Sequence, residues 1–402
     1  KSDEVMGEGA VPEGLLRLVG LDGLNTRDLY EKLLQVPARL NEDQAIDLAS
    51  DEFTSTNYGL YTYIKPGLSL DYLQSYLGTK TMDRIMQEYY RQWEFKHPYP
   101  EDFKTIVQNE TGKPTDWFFD ELISTTKKVD YQFHKYYPYA QIIGRDSFDV
   151  LILRNHPIDN VAGPFPITAM KDGKPMQTIW YDGFHGELDV LFPAIGYDQL
   201  IIDYYHRLPE NNRQNNYLTP KGKNLSTKVA ILPKVEKDDA RQLFITPIVG
   251  YNHYDKAMLG LAFYNSMGPV QNFRFNIAPM FALGSNEVTG TAKLDYTYFF
   301  SSKILSRVDF GLKAKRFSYD FYRDPETLNQ LNLTYLRVAP EATAHVKYPA
   351  LSKKETFLKY QFIYKKGEEL GANIRSRPNT YFNEEAINQV TVVHKENHLL
   401  RQ

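Results

Sequence analysis

The chain has 402 residues, more than one ordinary hydrophobic core holds, so we expect two or three domains. Its 47 basic and 50 acidic residues leave a net charge of -3, which gives no electrostatic footprint for nucleic acid as a partner. The absence of cysteine excludes disulfides, thiolate metal sites and a cysteine nucleophile.

The first region, residues 1–130, has the apolar spacing of short helices. The stretch "LSLDYLQSYLG" places Leu70, Leu73 and Leu77 on one face and ends at Gly78, which predicts a helix stop. The stretch "TMDRIMQEYYRQW" repeats the same spacing. We therefore expect several helices that pack through these faces.

Capping residues predict where other helices of this region begin. Asn41 followed by Gln44 has capping-box spacing and predicts a helix start. Pro98 and Pro100 end one helix and introduce the next, and Thr115 is the expected cap of a last helix carrying "WFFDEL".

Residues 131–222 form a second predicted region. In it apolar residues recur at every second position, as in a β-strand. About seven short strands separated by turn residues suggest a small β-sandwich. Lys171-Asp172-Gly173-Lys174 is a hairpin signal between two apolar runs. We expect the charged clusters of this region to form a solvated face.

Residues 223–402 predict a third region of longer antiparallel strands. One face of "VTGTAKLDYTYF" carries only small, apolar and aromatic residues: Ala292, Leu294, Tyr296 and Tyr298. The other face carries charges, a combination typical of a transmembrane barrel with a polar lumen, and we count roughly eight such strands. The pattern favours an outer-membrane β-barrel, of which this chain holds either all strands or only a part. Because soluble sandwiches alternate as well, a second soluble β-domain is the alternative.

Three tyrosines precede a Lys65-Pro66-Gly67 corner that opens an apolar helix: Tyr58, Tyr61 and Tyr63. A phenol at a helix entry can donate a hydrogen bond to a developing oxyanion. The other interpretation of these residues alone is aromatic packing at a helix start.

The order of these features resembles a known family. Tyrosines, a "YxKPG" corner, "LxxLxxxLG", "YYRQWEFKHPYPEDF" and "TDWFF" follow one another as in the segment downstream of the zinc site of gluzincin aminopeptidases, the aminopeptidase N type. The similarity is greatest to forms from Bacteroidota-like bacteria, in which a sandwich and a further β region follow. It covers about residues 41–216, and "ITPIVGYNHYDKAMLGLAFYN" extends it into the third region.

The resemblance implies roles for two tyrosines. Tyr63 lies where the family keeps the catalytic tyrosine that steadies the oxyanion of the attacked peptide carbonyl, and Tyr58 matches a second, substrate-binding tyrosine. Four further matching positions are structural in the family: Trp93, His97, Trp117 and Phe118.

The chain departs from the family in its metal site. The family's HExxH motif and distal Glu lie upstream of these tyrosines, and this sequence contains no HExxH. The nearest imitation is "HKENH", in which His394 and His398 would lie about 13 Å apart along a strand, too far for one zinc ion. We therefore expect zinc in the complete protein and no metal ligand in this chain; either the catalytic half precedes Lys1 or the zinc has been lost.

Two functions follow as expectations. The first is part of an outer-membrane zinc metallopeptidase that hydrolyses peptides, with its peptidase side unassigned, lipid as a partner and this chain alone inactive. The second is a non-catalytic, peptidase-derived component of an outer-membrane protein complex.

Overall fold

The structure is a computed structural model, and it describes residues 26–156, 159–220, 225–231, 234–266, 271–300, 304–323, 330–348, 354–371 and 379–396. Residues 1–25, the start of the predicted helical region, lie outside the described residues. The described chain divides into two compact units. The first takes in residues 26–226 and 237–241, and the second takes in residues 227–236 and 242–396.

Helices make up the start of the first unit, as the sequence predicts. The α-helices are α1 (Thr26–Ala38), α2 (Ser55–Gly59), α3 (Lys65–Leu77), α4 (Thr79–Trp93) and α5 (Pro100–Thr111). Two π-helical segments, Leu60–Ile64 and Trp117–Ile123, accompany them. Of the helices in the described ranges, none is long and apolar enough to cross a membrane.

The helix boundaries follow local chemistry. Gly78 ends α3 with φ of 82°, a conformation that costs glycine little, so the predicted stop is confirmed. At the start of α5 the Tyr99 N–H donates to the Asp102 side chain at 2.8 Å, and Pro100 occupies the first turn.

The predicted helix start at Asn41 is wrong. Asn41 has φ of 53° and lies beyond the end of α1, in a segment without helix. The Gln44 side chain is used in tertiary contacts, since it donates to Glu52 O at 3.0 Å and accepts from Thr54 N at 2.9 Å. The capping-box spacing was therefore coincidental.

Two antiparallel sheets follow the helices in the same unit. One has the order β1-β2-β5 and the other β4-β3-β6-β7. The strands are β1 (Gln132–Ile143), β2 (Asp146–Asn155), β3 (Phe165–Lys171), β4 (Lys174–Tyr181), β5 (Gly186–Pro193), β6 (Gln199–Ile202) and β7 (Tyr217–Leu218). Asp172 and Gly173 turn between β3 and β4 with φ of 48° and 73°, so the predicted hairpin is confirmed.

One hydrophobic cluster joins α3, α4, α5 and the Trp117–Ile123 segment to both sheets. Leu73 and Trp117 come from the helical part, Phe133 from β1, and Phe165 and Ile167 from β3. The Tyr72 hydroxyl, which is buried in this core, donates to Pro164 O at 2.6 Å. Helices and sheets of this unit therefore stabilise each other through shared burial.

The expectation that the charged clusters after β6 form a solvated face is wrong. Arg213 is buried and pairs with Glu31 of α1 at 2.6 Å and with Asp203 at 3.0 Å. The Gln35 side chain of α1 donates to Glu210 O at 2.8 Å. Further along α1, Arg39 Nε donates to the carbonyl of Asn211, so these polar groups fasten α1 to the segment between β6 and β7.

In the described residues nine strands form the sheet of the second unit, in sequence order from β8 to β16. The ladders from β9 to β16 are antiparallel and join strands adjacent in sequence. They are β8 (Ser226–Ile231), β9 (Ala240–Asn252), β10 (Lys256–Tyr264), β11 (Phe273–Ala282), β12 (Glu287–Phe299), β13 (Leu305–Arg323), β14 (Gln330–Val346), β15 (Lys354–Gly371) and β16 (Asn379–Glu396). In the described part of the chain β8 and β16 form no ladder with each other, so the predicted barrel closure is not confirmed.

One face of this sheet is apolar across strands. A row of directly paired residues crosses six strands: Phe273, Tyr296, Phe310, Ala342, Tyr360 and Val390. The five large side chains of this row are exposed. The alternation predicted from the sequence is thus kept in register from β11 to β16.

The opposite face carries ion pairs. Glu341 accepts from Lys313 at 2.7 Å and from Lys359 at 2.8 Å, each on a neighbouring strand. Gly311 lies opposite Glu341, and a Cβ there would come within 2.8 Å of the Glu341 side chain. Glycine at this position therefore leaves room for the carboxylate between its two lysines.

Candidate functional site

Tyr58 and Tyr63 lie on one uninterrupted helical stretch. The backbone remains in right-handed helical conformation at Gly59, Ile64 and Lys65, so α2, the Leu60–Ile64 segment and α3 continue into one another. The predicted corner at Lys65-Pro66-Gly67 is therefore wrong, and the tyrosines lie within a helix and not in a loop before one.

A π-turn brings the two tyrosines together. The Lys65 N–H donates to Leu60 O, five residues back, and the Thr62 hydroxyl donates to Tyr58 O. Residues five apart do not face each other on a regular α-helix, whereas the wider π-turn brings them close. The Tyr58 and Tyr63 rings meet edge to face with centroids 6.1 Å apart.

Both phenols are open to solvent. Tyr63 exposes 68 % of its surface and Tyr58 exposes 40 %. The neighbouring Tyr63 phenol raises the pKa of Tyr58 above its ordinary value. Each exposed phenol carries an O–H that can donate to a ligand.

Hydrogen bonds of Thr54 and Asn57 fix the start of the helical stretch. The Thr54 hydroxyl accepts from Asn57 N at 3.3 Å as the helix cap. The buried Asn57 side chain donates to Glu42 O at 2.8 Å and to Gln44 Oε1 at 3.1 Å. These contacts hold Tyr58, the next residue, on a rigid support.

The buried side of the same π-turn carries residues to which the sequence analysis gave no functional role. Tyr61 and Lys65, four residues apart, are both buried. Their spacing puts them on one helix face, which was the available signal. The corner predicted at Lys65 obscures this signal, because a corner would place Lys65 outside the helix face that it shares with Tyr61.

The positions that the resemblance marks as structural differ in their surroundings. Trp117 and Phe118 are buried in the core, and Trp93 packs partly buried against it. His97 is exposed, so core packing gives no account of it.

No metal site is formed by the residues that the structure places. Within those ranges, His, Cys, Asp and Glu side chains form no group of three or more that could hold a metal ion. Tyr58 and Tyr63 are therefore brought together without metal ligands beside them. Comparison of the chain with protein-family models and with curated proteins finds no match.

Proposed function

We propose that this chain is part of an outer-membrane-associated metallopeptidase that hydrolyses peptides. In this proposal the Tyr63 phenol donates a hydrogen bond to the oxyanion that forms when a peptide carbonyl is attacked. Tyr58, whose ring meets that of Tyr63 edge to face, orients that phenol and contacts the substrate. The observation that carries the proposal is the pair of exposed phenols on a helix whose other side is buried.

A rigid exposed donor suits this chemistry. A hydrogen-bond donor stabilises a developing negative charge most when its position is fixed before the reaction. The cap at Thr54 and the buried Asn57 fix the helix start, and the π-turn fixes the spacing of the two phenols. Neither phenol has to leave a packed core to reach a peptide.

The described residues do not themselves fit a zinc ion, since they offer no suitable group of ligands. Zinc in the proposed enzyme is therefore expected to be ligated outside these residues. The role proposed for Tyr63 depends only on its own hydroxyl.

We also propose that the second unit contacts outer-membrane lipid through the apolar face of its sheet. On β12 the residues of this face run from Val288 to Tyr298 without a charge. That span covers about 33 Å along the strand, or roughly 25 Å for a strand tilted by about 40°, which is the height of the apolar band in outer-membrane barrels. The charged opposite face, with Glu341 between two lysines, suits a polar interior.

The test of the peptidase proposal compares Tyr63→Phe with wild type in the full-length protein. We expect kcat for an aminoacyl-anilide to fall roughly 100- to 1,000-fold, because one oxyanion donor is lost. The folding midpoint should not change, since Tyr63 is largely exposed. Tyr90→Phe is the matched control, because Tyr90 is an equally exposed tyrosine on α4, and it should retain full activity.

Two results would contradict the peptidase proposal. One is hydrolysis that is unchanged in Tyr63→Phe, and the other is a full-length protein that neither binds zinc nor turns over any peptide substrate. The second result would favour the non-catalytic component of an outer-membrane complex.

A further inference from the structure

A cavity of about 40 Å³ lies beneath the π-turn, on the side away from Tyr63. Its apolar lining includes Leu34, Leu122 and Val129, and its polar lining includes Tyr61 and Lys65. We call this space the Lys65 cavity. A volume of this size has room for a few water molecules or for one small ion.

Lys65 has no hydrogen-bond acceptor for its ammonium group among the residues that the structure describes. Its Nζ is buried and lies 5.3 Å from the centre of the Tyr61 ring, a cation–π contact that leaves the N–H donors unused. Burial lowers the pKa of Lys65 to about 8, so the group is still largely protonated at neutral pH. A buried cation without a counterion is costly.

The other charges around the cavity are already matched. Lys128 pairs with Asp43, and Lys127 pairs with Glu121 at 2.5 Å. Asp43 is thus engaged by another lysine. Lys65 is the cation of this lining for which the described chain supplies no ion pair.

Three further polar atoms of the cavity lining lack partners in the described ranges: the Tyr61 hydroxyl, Glu210 Oε2 and Asn211 Oδ1. Glu210 Oε1 accepts from Tyr131 N at 3.1 Å. Burial raises the pKa of Glu210 well above its ordinary value, which favours the uncharged form of this carboxyl. Within the described ranges the Lys65 ammonium and the Tyr61 hydroxyl are thus the unpartnered donors of this space.

We propose that the Lys65 cavity binds one small monovalent anion of the chloride type, held by the Lys65 ammonium and the Tyr61 hydroxyl group. The anion neutralises the buried cation and gives each orphan donor an acceptor. The Asn211 amide, which also lines the cavity, can turn its Nδ2 toward the anion. Because Tyr61 and Lys65 flank Tyr63, the bound anion stabilises the π-turn whether or not Tyr63 acts in hydrolysis.

The test is the chloride dependence of thermal unfolding of the full chain at constant ionic strength, with gluconate as the replacement anion. Chloride should raise the unfolding midpoint of wild type, because it binds only the folded protein. Lys65→Met should abolish the rise, and Tyr61→Phe should raise the half-saturating chloride concentration about tenfold through the loss of one hydrogen bond. Lys80→Met, at an exposed lysine of α4, is the control and should respond like wild type.

A crystal grown in bromide keeps the proposal testable if Lys65→Met does not fold. An anomalous difference peak between Lys65 and Tyr61 is the expected result. A wild-type midpoint that does not depend on chloride, together with a cavity that holds only water, would overturn the proposal.

Discussion

Tyr58 and Tyr63 show why the sequence alone could not place the candidate site. Both residues are candidates from the sequence, but their rings meet across a π-helical segment, Leu60–Ile64, whose last turn is closed by Lys65 N–H donating to Leu60 O. Five-residue spacing on an α-helix would have separated them. Residue identity was therefore predictable, whereas the geometry of the pair was not.

The burial of individual charged residues could not be predicted from the sequence either. Asp203, Glu210 and Arg213 lie in a stretch rich in polar residues, which ordinarily predicts a solvated loop. Their burial follows from α1 packing onto this segment, and no local pattern specifies that contact. Tertiary structure decides the environment of such residues.

Asp130 gives a prediction about pH. Burial raises the pKa of its carboxyl from 3.8 to about 6, although Asn215 donates to it at 2.7 Å. Between about pH 4 and pH 6 the folded state then holds a proton that the unfolded state has released, so stability falls as pH rises through this window. Above pH 6 the charged Asp130 is a constant cost to the folded protein.

Asp130→Asn should remove this cost. We expect the free energy of unfolding at pH 7 to increase by about 1–3 kcal/mol, and the decline between pH 4 and pH 6 to flatten. Urea unfolding at a series of pH values measures both. The exposed Asp182→Asn is the control, and equal pH profiles for Asp130→Asn and wild type would refute the prediction.

At the scale of elements, Pro66 accounts for the π-turn. A proline inside an α-helix has no N–H to donate, and its ring clashes with the carbonyl four residues earlier, here Thr62. The widened turn that ends at Lys65 displaces that carbonyl and lets the helix continue. The sequence predicts a corner at Lys65-Pro66-Gly67 that opens a helix, whereas in the structure the helix runs through this stretch.

Pro66→Ala should regularise the helix and separate the two phenols. The pKa of Tyr58, which the neighbouring Tyr63 phenol raises, is then expected to fall back toward its ordinary value. NMR titration of ¹³Cζ-labelled tyrosines measures the pKa of Tyr58 directly. Pro100→Ala, at the first turn of α5, should leave the Tyr58 titration unchanged, and a Tyr58 titration unaltered by Pro66→Ala would show that the proline does not set the turn.

For the whole molecule, sequence patterns predicted the order of helices and antiparallel sheets but not how the sheets end. The period of two specifies which side chains share a face, and the Asp172-Gly173 turn specifies one pairing. Closure of a sheet depends on the pairing of its first and last strands, which alternation does not encode. Barrel and open sheet therefore have the same sequence signature here.

The two faces of the large sheet predict opposite responses to an added charge. Phe310→Arg puts a cation into the apolar row and should prevent stable insertion into vesicles of outer-membrane lipid, since arginine near the middle of the bilayer costs about 2–4 kcal/mol. Thr343→Arg adds the same charge on the polar face, opposite Asp309, and should insert like wild type. Co-flotation with vesicles measures insertion; equal flotation of the two variants would rule out lipid contact by the apolar face.

The attachment of α1 also bears on the order in which the molecule folds. Glu31, Gln35 and Arg39 find their partners at positions 213, 210 and 211, more than 170 residues later in the chain. Contacts this distant in sequence form slowly, because a long loop must close first. During synthesis α1 is made well before these partners exist. The first described helix to emerge is thus expected to be among the last to acquire hydrogen-exchange protection.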